Sequence, residues 1–164
     1  MTNRDSSIAK AYRTFVDWVR NDPQLTRLLG KPDRLWACLG ESWERDEPTD
    51  AQCPVIRFTP RPGPSDWHVM QSTGTDGPSH ACPILIDVQT YVKGTDVTAS
   101  MEIAEALYVA CYPRDSTRKA NLRTALLAVG VFRVTTRQLA WGPEITGTML
   151  KGTGTIALDM VLES

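Results

Sequence analysis

The side chains best suited to a metal are His68, His80 and Cys82, which lie in one stretch of the chain. Zinc sites rely on short CxxC or HxxxH pairs, because one turn then presents two ligands together. The separations here supply no such pair. The expectation is two loop histidines and a thiol beside a strand, with no metal and no cofactor. Asp87 and Asp159 each interrupt an apolar run, and carboxylates on adjacent strands can hold Mg²⁺ in a nuclease-like site. Such a site also calls for a lysine two residues past the second acidic or glutamine position, and after Gln89 that position is Tyr91. Period-2 alternation instead places each aspartate on the solvent side of a half-covered sheet. The glycine-containing runs Ser72–Gly77 and Lys151–Thr155 both lead into strands, whereas a phosphate cradle must lead into a helix N-terminus. No Gly-x-Ser-x-Gly elbow is present, and no cysteine has a histidine beside it that would make a nucleophile. Arg114, Arg118, Lys119 and Arg123 cluster around one short helical stretch and read as a solvated helix face. These residues predict a protein that is not an enzyme, with no catalytic, cofactor or metal residues.

The elements that would carry these side chains follow from periodicity. Ile8, Ala11, Tyr12, Phe15, Val16 and Val19 recur at helical spacing and form one apolar stripe. Asn21–Pro23 breaks that helix. Asp22 and Pro23 then start a second one, carrying Leu25, Leu28 and Leu29 and stopping at Gly30. Leu35–Leu39 and Val55–Phe58 are strand candidates separated by the polar loop Gly40–Gln52. Pro60, Pro62 and Pro64 lack amide protons, so Pro60–Pro64 is expected to end the sheet ladder. Trp67–Met70 reads as one side of a ribbon and Gln71–Pro83 as loop. Ile84–Val92 is the strongest strand, with Ile84, Ile86, Val88 and Val92 on one face and Asp87 and Gln89 on the other.

Asp96 caps a following helix, whose apolar face is read as Val97, Met101, Ala104, Tyr108 and Cys111, and Pro113 ends it. A second helix runs from about Ser116 to Val129 with Leu122, Leu126 and Val129 inward, and Gly130 is its left-handed stop. Val131–Trp141 and Thr155–Leu162 close the chain as strands, joined across Gly142–Gly154 as a hairpin with a long tip. The order predicts an α+β domain over residues 1–164. Its core is one mixed or antiparallel sheet with helices packed on one face, long loops and a C-terminal β-hairpin. No internal repeat or domain boundary is visible.

Composition bounds the function classes. Hydrophobic residues make up 41% and charged residues 23% of the sequence, which suits a folded domain rather than a disordered one. A formal charge of −1 provides no field to draw in a polyanion or an anionic membrane. Met1–Lys10 lacks the apolar stretch of a signal peptide, and no segment approaches the ~20 apolar residues of a membrane helix. Cys38, Cys53, Cys82 and Cys111 are widely spaced, three of them beside apolar stretches, as expected of buried thiols in a reducing cytoplasm.

Trp43, Trp67 and Trp141 fall in or next to loops, where a large ring must find cover, and tryptophan concentrates at the centres of interfaces. Together they point to an oligomer. Glu41, Glu44, Asp46, Glu47 and Asp50, with Arg45 as the single base among them, form an acidic loop.

The strand Pro83–Tyr91, the Gly-Thr-Asp turn at Gly94–Asp96 and the helix around Ala99–Leu107, set between an N-terminal helix and a closing hairpin, resemble the tail terminator (tail completion) proteins of long-tailed bacteriophages. The similarity covers most of the chain in layout. It is most specific from Pro83 to Cys111. The resemblance implies a virion structural protein that forms a ring, typically a hexamer, on the head-proximal end of the tail tube. There it would stop tube polymerisation and join tail to head. Its partners would be further copies of itself, the tail tube protein and the head-side connector. Viral DNA would pass through the hole unbound, and the acidic loop would face that hole. Two other readings stay open: another connector of the head-closure type or a minor tail protein, and a small ligand-binding or enzyme domain using the loops around His68 and His80.

Overall fold

Two fifteen-residue strands, paired along their whole length, form the spine of the domain. In the computed structural model they are β4 (Ser79–Lys93) and β7 (Met149–Glu163), antiparallel from Ser79 opposite Glu163 to Lys93 opposite Met149 without a register shift. The structure describes residues 7–37, 47–62, 68–70, 79–94, 96–137 and 144–163, with backbone alone at 62, 68–70, 79–82, 162 and 163. Helices α1 (Ser7–Arg20) and α2 (Pro23–Leu29) come first, then β1 (Leu35–Trp36), β2 (Val55–Pro62) and β3 (His68–Met70). After β4 follow α3 (Val97–Cys111), α4 (Ser116–Leu127), β5 (Val131–Arg137) and β6 (Glu144–Thr146), which leads into β7. The sheet has seven strands in the order β1-β2-β4-β7-β5, with β3 on β4 and β6 on β7. The β1–β2 pair is parallel and the other pairs are antiparallel, so the sheet is mixed.

Both outer positions of the spine are filled twice. Strands β2 and β3 lie in line along β4, and β5 and β6 lie in line along β7. The alternation expected for Ile84–Val92 holds: Ile84, Ile86, Val88 and Val92 are buried under the helices together with Phe15, Val16, Leu107, Ile156, Leu158 and Met160. The α1 stripe packs as its spacing predicts, with Phe15 stacked on Phe58 at 6.1 Å. Asp22 caps α2 by accepting from Leu25 N at 3.1 Å, and Gly30 closes it at φ 81°. Buried Asp22 also takes the guanidinium of Arg118 at 3.0 Å, while Arg118 sits over the Trp18 ring at 5.4 Å. These contacts tie α1, α2 and α4 together, so one member of the expected basic helix face is a structural link.

Four element readings require correction. The chain stays extended through Pro60 and Pro62, which belong to β2. The two prolines are two residues apart, so their missing amides share one side of the strand. β1 pairs only with Ile56 and Arg57 on that outer edge, and an edge tolerates proline. Ser79–Pro83 is strand rather than loop, because β3 and the end of β7 both pair with it. The long hairpin tip is instead ladder. Glu144–Thr146 pairs with Met149–Lys151 around a two-residue turn whose Gly147 has φ 62°, the sign that primed hairpin turns need. Finally, Val97, Met101 and Tyr108 do not belong to the buried face of α3. They are 45%, 48% and 49% exposed, and the core face is Ile103, Ala104, Leu107, Ala110 and Cys111.

Candidate assembly interface

Helix α3 carries apolar residues on two sides. Its inner side enters the core, with small Ser100, Ala104, Ala106 and Ala110 allowing close approach to the sheet. Its outer side holds Val97, Met101 and Tyr108 at i, i+4 and i+11, with Glu105 at i+8 between them, so the four share one stripe. Glu102 flanks it. The helix contains these two glutamates and no base. Tyr108 leans on Tyr112 at 4.9 Å between ring centroids. Large apolar side chains left exposed in a row mark a contact surface more often than chance exposure does.

The β5 side of the sheet continues this surface. A groove of about 360 Å³ lies between the end of α3, α4 and β5, lined by Tyr112, Leu122, Leu126, Leu127, Phe132 and Val134 among others. Leu127 and Phe132 are half exposed. β5 is an edge strand, and its outward polar groups are partly blocked from within. The Tyr112 hydroxyl donates to Val134 O at 2.9 Å and accepts from Thr136 N at 3.0 Å. A side chain seated on the edge in this way obstructs continuous strand addition.

The sheet face away from the helices is polar. Arg57, Arg61, Arg133, Arg137, Lys93 and Lys151 lie on it with Asp87, Asp159 and Glu144. Asp87 pairs with Arg61 at 2.6 Å and Asp159 with Arg133 at 2.7 Å. The two carboxylates are four positions apart in the β4–β7 register, roughly 13 Å along the strands. They do not converge on one ion, and each sits on the solvent side as the alternation predicts. Arg57 donates to Gln89 Oε1 at 2.8 Å and stands over the Tyr91 ring. Trp36, Cys53, Val55, Tyr91 and Met149 form a small second core on this face.

Of the acidic-loop residues and loop tryptophans, Glu47 and Asp50 are described. Both turn toward the start of β7: Lys151 Nζ approaches Glu47 at 3.6 Å, and Thr148 Oγ1 donates to Asp50 at 2.7 Å. Glu41, Glu44, Asp46, Trp43, Trp67 and Trp141 lie outside the described residues, as does the Ser72–Gly77 run. Lys151–Thr155 is strand, within β7. His68 and His80 are strand residues rather than the loop histidines expected: with Cys82 they fall in β3 and β4, His68 opposite Ala81 and Val69 opposite His80 in the ladder, and the side chains of all three lie outside the described ones. Among the described residues no group of three His, Cys, Asp or Glu side chains is placed to share a metal ion.

The two described thiols, Cys53 and Cys111, are buried and free. Burial raises both pKa values. At Cys53, Asp50 adds to the rise while Arg34 and Lys93 oppose it. Raised thiols are poor nucleophiles at neutral pH.

The α3 stripe is the surface that sequence reasoning missed. The signal was present: in a fifteen-residue helix with two charges, apolar positions outnumber those one face can bury, so some of them must emerge. Compared with known proteins, the chain matches no family model and no curated sequence. No helix among the described residues is long and apolar enough to cross a membrane.

Proposed function

We propose that this chain is a virion structural protein, a tail terminator whose copies form a ring, hexameric by the resemblance, on the head-proximal end of a phage tail tube. The ring stops tube polymerisation and joins the tail to the head-side connector. The observation that carries the assembly part of this reading is the exposed stripe Val97–Met101–Tyr108 on a helix whose other side is already in the core. The strand–turn–helix layout from Pro83 to Cys111, which is the basis of the resemblance, supports the choice of family. The subunit contacts are heterologous, because a ring of more than two members needs one surface to meet a different one.

Light scattering on the purified protein tests this: the expected mass is several times 18.2 kDa, and negative-stain images should show rings with a central hole. A monomer at tens of micromolar would end the assembly reading. Trp67→Ala and Trp141→Ala are expected to weaken assembly more than folding. Retention of the wild-type oligomer by both at low concentration would remove these residues from the interface.

The basic residues of the open sheet face favour one second reading, a connector of the head-closure type that grips DNA. Arg57 and Arg61 lie on β2 and Arg137 on β5, across the face from them with β4 and β7 between, and bases spread over one open face can contact phosphates. Duplex binding by the intact assembly separates the two.

A further inference from the structure

The far edge of the sheet offers what the α3 stripe lacks. Beside β1, at the opposite end of the strand order from β5, an open groove of about 610 Å³ is lined by Arg20, Lys31, Pro32, Arg34 and Trp36, with Asp33 as its acid. Arg20 donates to Leu35 O at 2.9 Å, and its Nε is buried without an acceptor. Arg34 is held by the carbonyls of Cys53 and Ala51. Lys31 is exposed. Among the described lining residues three cations stand against one carboxylate, with a proline and a tryptophan between them, which makes a basic and partly apolar slot. The α3 stripe is its converse: Met101 and Tyr108 project beside Glu105, Glu102 flanks them, and the helix has no base of its own, the nearest being exposed Arg114 beyond its end at 3.6 Å from Glu105.

We infer that the β1-side groove receives the α3 stripe of a second copy of this chain. Met101 and Tyr108 enter the slot, and Glu102 and Glu105 face Lys31, Arg34 and Arg20. This rests on the assembly reading above and supplies the two surfaces it requires. α3 lies over β4, β7 and β5 and against α1 and α2, whereas the groove is lined from β1, residues 31–34 and the end of α1, so stripe and groove are separate surfaces of one subunit. They cannot satisfy each other within a chain. Joined head to tail, they propagate until the rotation closes. Opposite charge at the two surfaces favours this register over stripe against stripe, where glutamates would meet glutamates.

Two variants test the pairing. Met101→Asp with Tyr108→Asp spoils the stripe and leaves the groove intact. Lys31→Glu with Arg34→Gln spoils the groove and leaves the stripe intact. Lys31→Glu alone is a control for folding, since Lys31 is exposed and Arg34 supports the Cys53 carbonyl. Sedimentation velocity should show each variant as a monomer at concentrations where the wild type is assembled. An equimolar mixture of the two should give a species of twice 18.2 kDa and nothing larger, because it contains one intact stripe–groove pair. A groove variant that stays fully assembled, or a mixture that stays monomeric, overturns the pairing. A wild type that is itself monomeric overturns the assembly reading instead.

Discussion

Burial without a compensating charge raises the Cys111 thiol well above its ordinary value of 9.0, and since Cys53 is raised too, the difference in alkaline stability between the wild type and a Cys111 variant is the readout of this one side chain. The folded pKa is raised, so the stabilisation is complete below the unfolded value and is lost as pH rises past it toward the folded one. Above about pH 9 the unfolded chain releases a proton that the folded chain keeps. Unfolding free energy should then fall by about 1.4 kcal/mol per pH unit from this group. Cys111→Ala should be shallower than the wild type by that slope between pH 9 and 10.5, measured by urea unfolding at each pH. Equal slopes would mean that the thiol ionises freely in the fold. Ile86, fully buried on the central strand, gives a second measure of the core. Ile86→Ala should cost ~2–5 kcal/mol in the same assay, and a loss under 1 kcal/mol would contradict its packing. At this scale the sequence was most readable where period 2 applied. Ile84, Ile86 and Val88 alternate with Asp87 and Gln89, and burial follows that alternation because helices cover one face only.

Elements were legible where a local signal fixed them and obscure where a distant partner did. Asp22, Gly30 and Asp96 bound helices as read, since caps and left-handed stops act over a few residues, whereas α4 ends at Leu127 with Ala128 as its cap and left-handed Gly130 turns the chain two residues later. Ser79–Pro83 becomes strand only because β3 and β7 come alongside it, and no local pattern reports that. The facing of α3 was misread for a related reason: Val97, Met101 and Tyr108 keep helical spacing as well as Ile103, Leu107 and Cys111 do. Only the position of the sheet chooses between the two sets. The edge of β5 carries the element-scale prediction. Tyr112→Phe removes the hydroxyl from Val134 O and Thr136 N and should cost about 1 kcal/mol or somewhat more. Hydrogen exchange at the Thr136 amide should quicken relative to neighbouring strands. An unchanged rate there would show that Tyr112 does not guard the edge.

For the proposed ring, the question at the scale of the whole molecule is what its hole would do to DNA. A lumen that binds phosphates holds the duplex with steep salt dependence, whereas like charge lets it slide. Glu41, Glu44, Asp46, Glu47 and Asp50 are proposed to keep the hole neutral or negative, effective within a Debye length of ~8–10 Å. Glu47 and Asp50 are partly engaged by Lys151 and Thr148. The intact ring should bind duplex DNA poorly at physiological salt. Reversing the five acids to lysine should raise affinity and steepen the salt slope. Tight binding by the wild type would instead favour the gripping connector and direct attention to Arg57, Arg61 and Arg137.

The unbroken pairing of β4 with β7 has a consequence for how this chain can change over generations. Each spine strand is flanked by a neighbour that comes in two pieces, with residues 63–67 between β2 and β3 and 138–143 between β5 and β6. Insertions at these two places leave every spine pair in register, because β4 and β7 are specified by each other and not by the breaks. Doubling such a segment costs only about 0.6 kcal/mol in closure entropy. The same number of residues inserted within β4 would shift its side chains against β7, and any odd number would turn Ile84, Ile86 and Val88 out to solvent. Length variation is therefore cheap between the pieces of each flanking strand and forbidden along the spine.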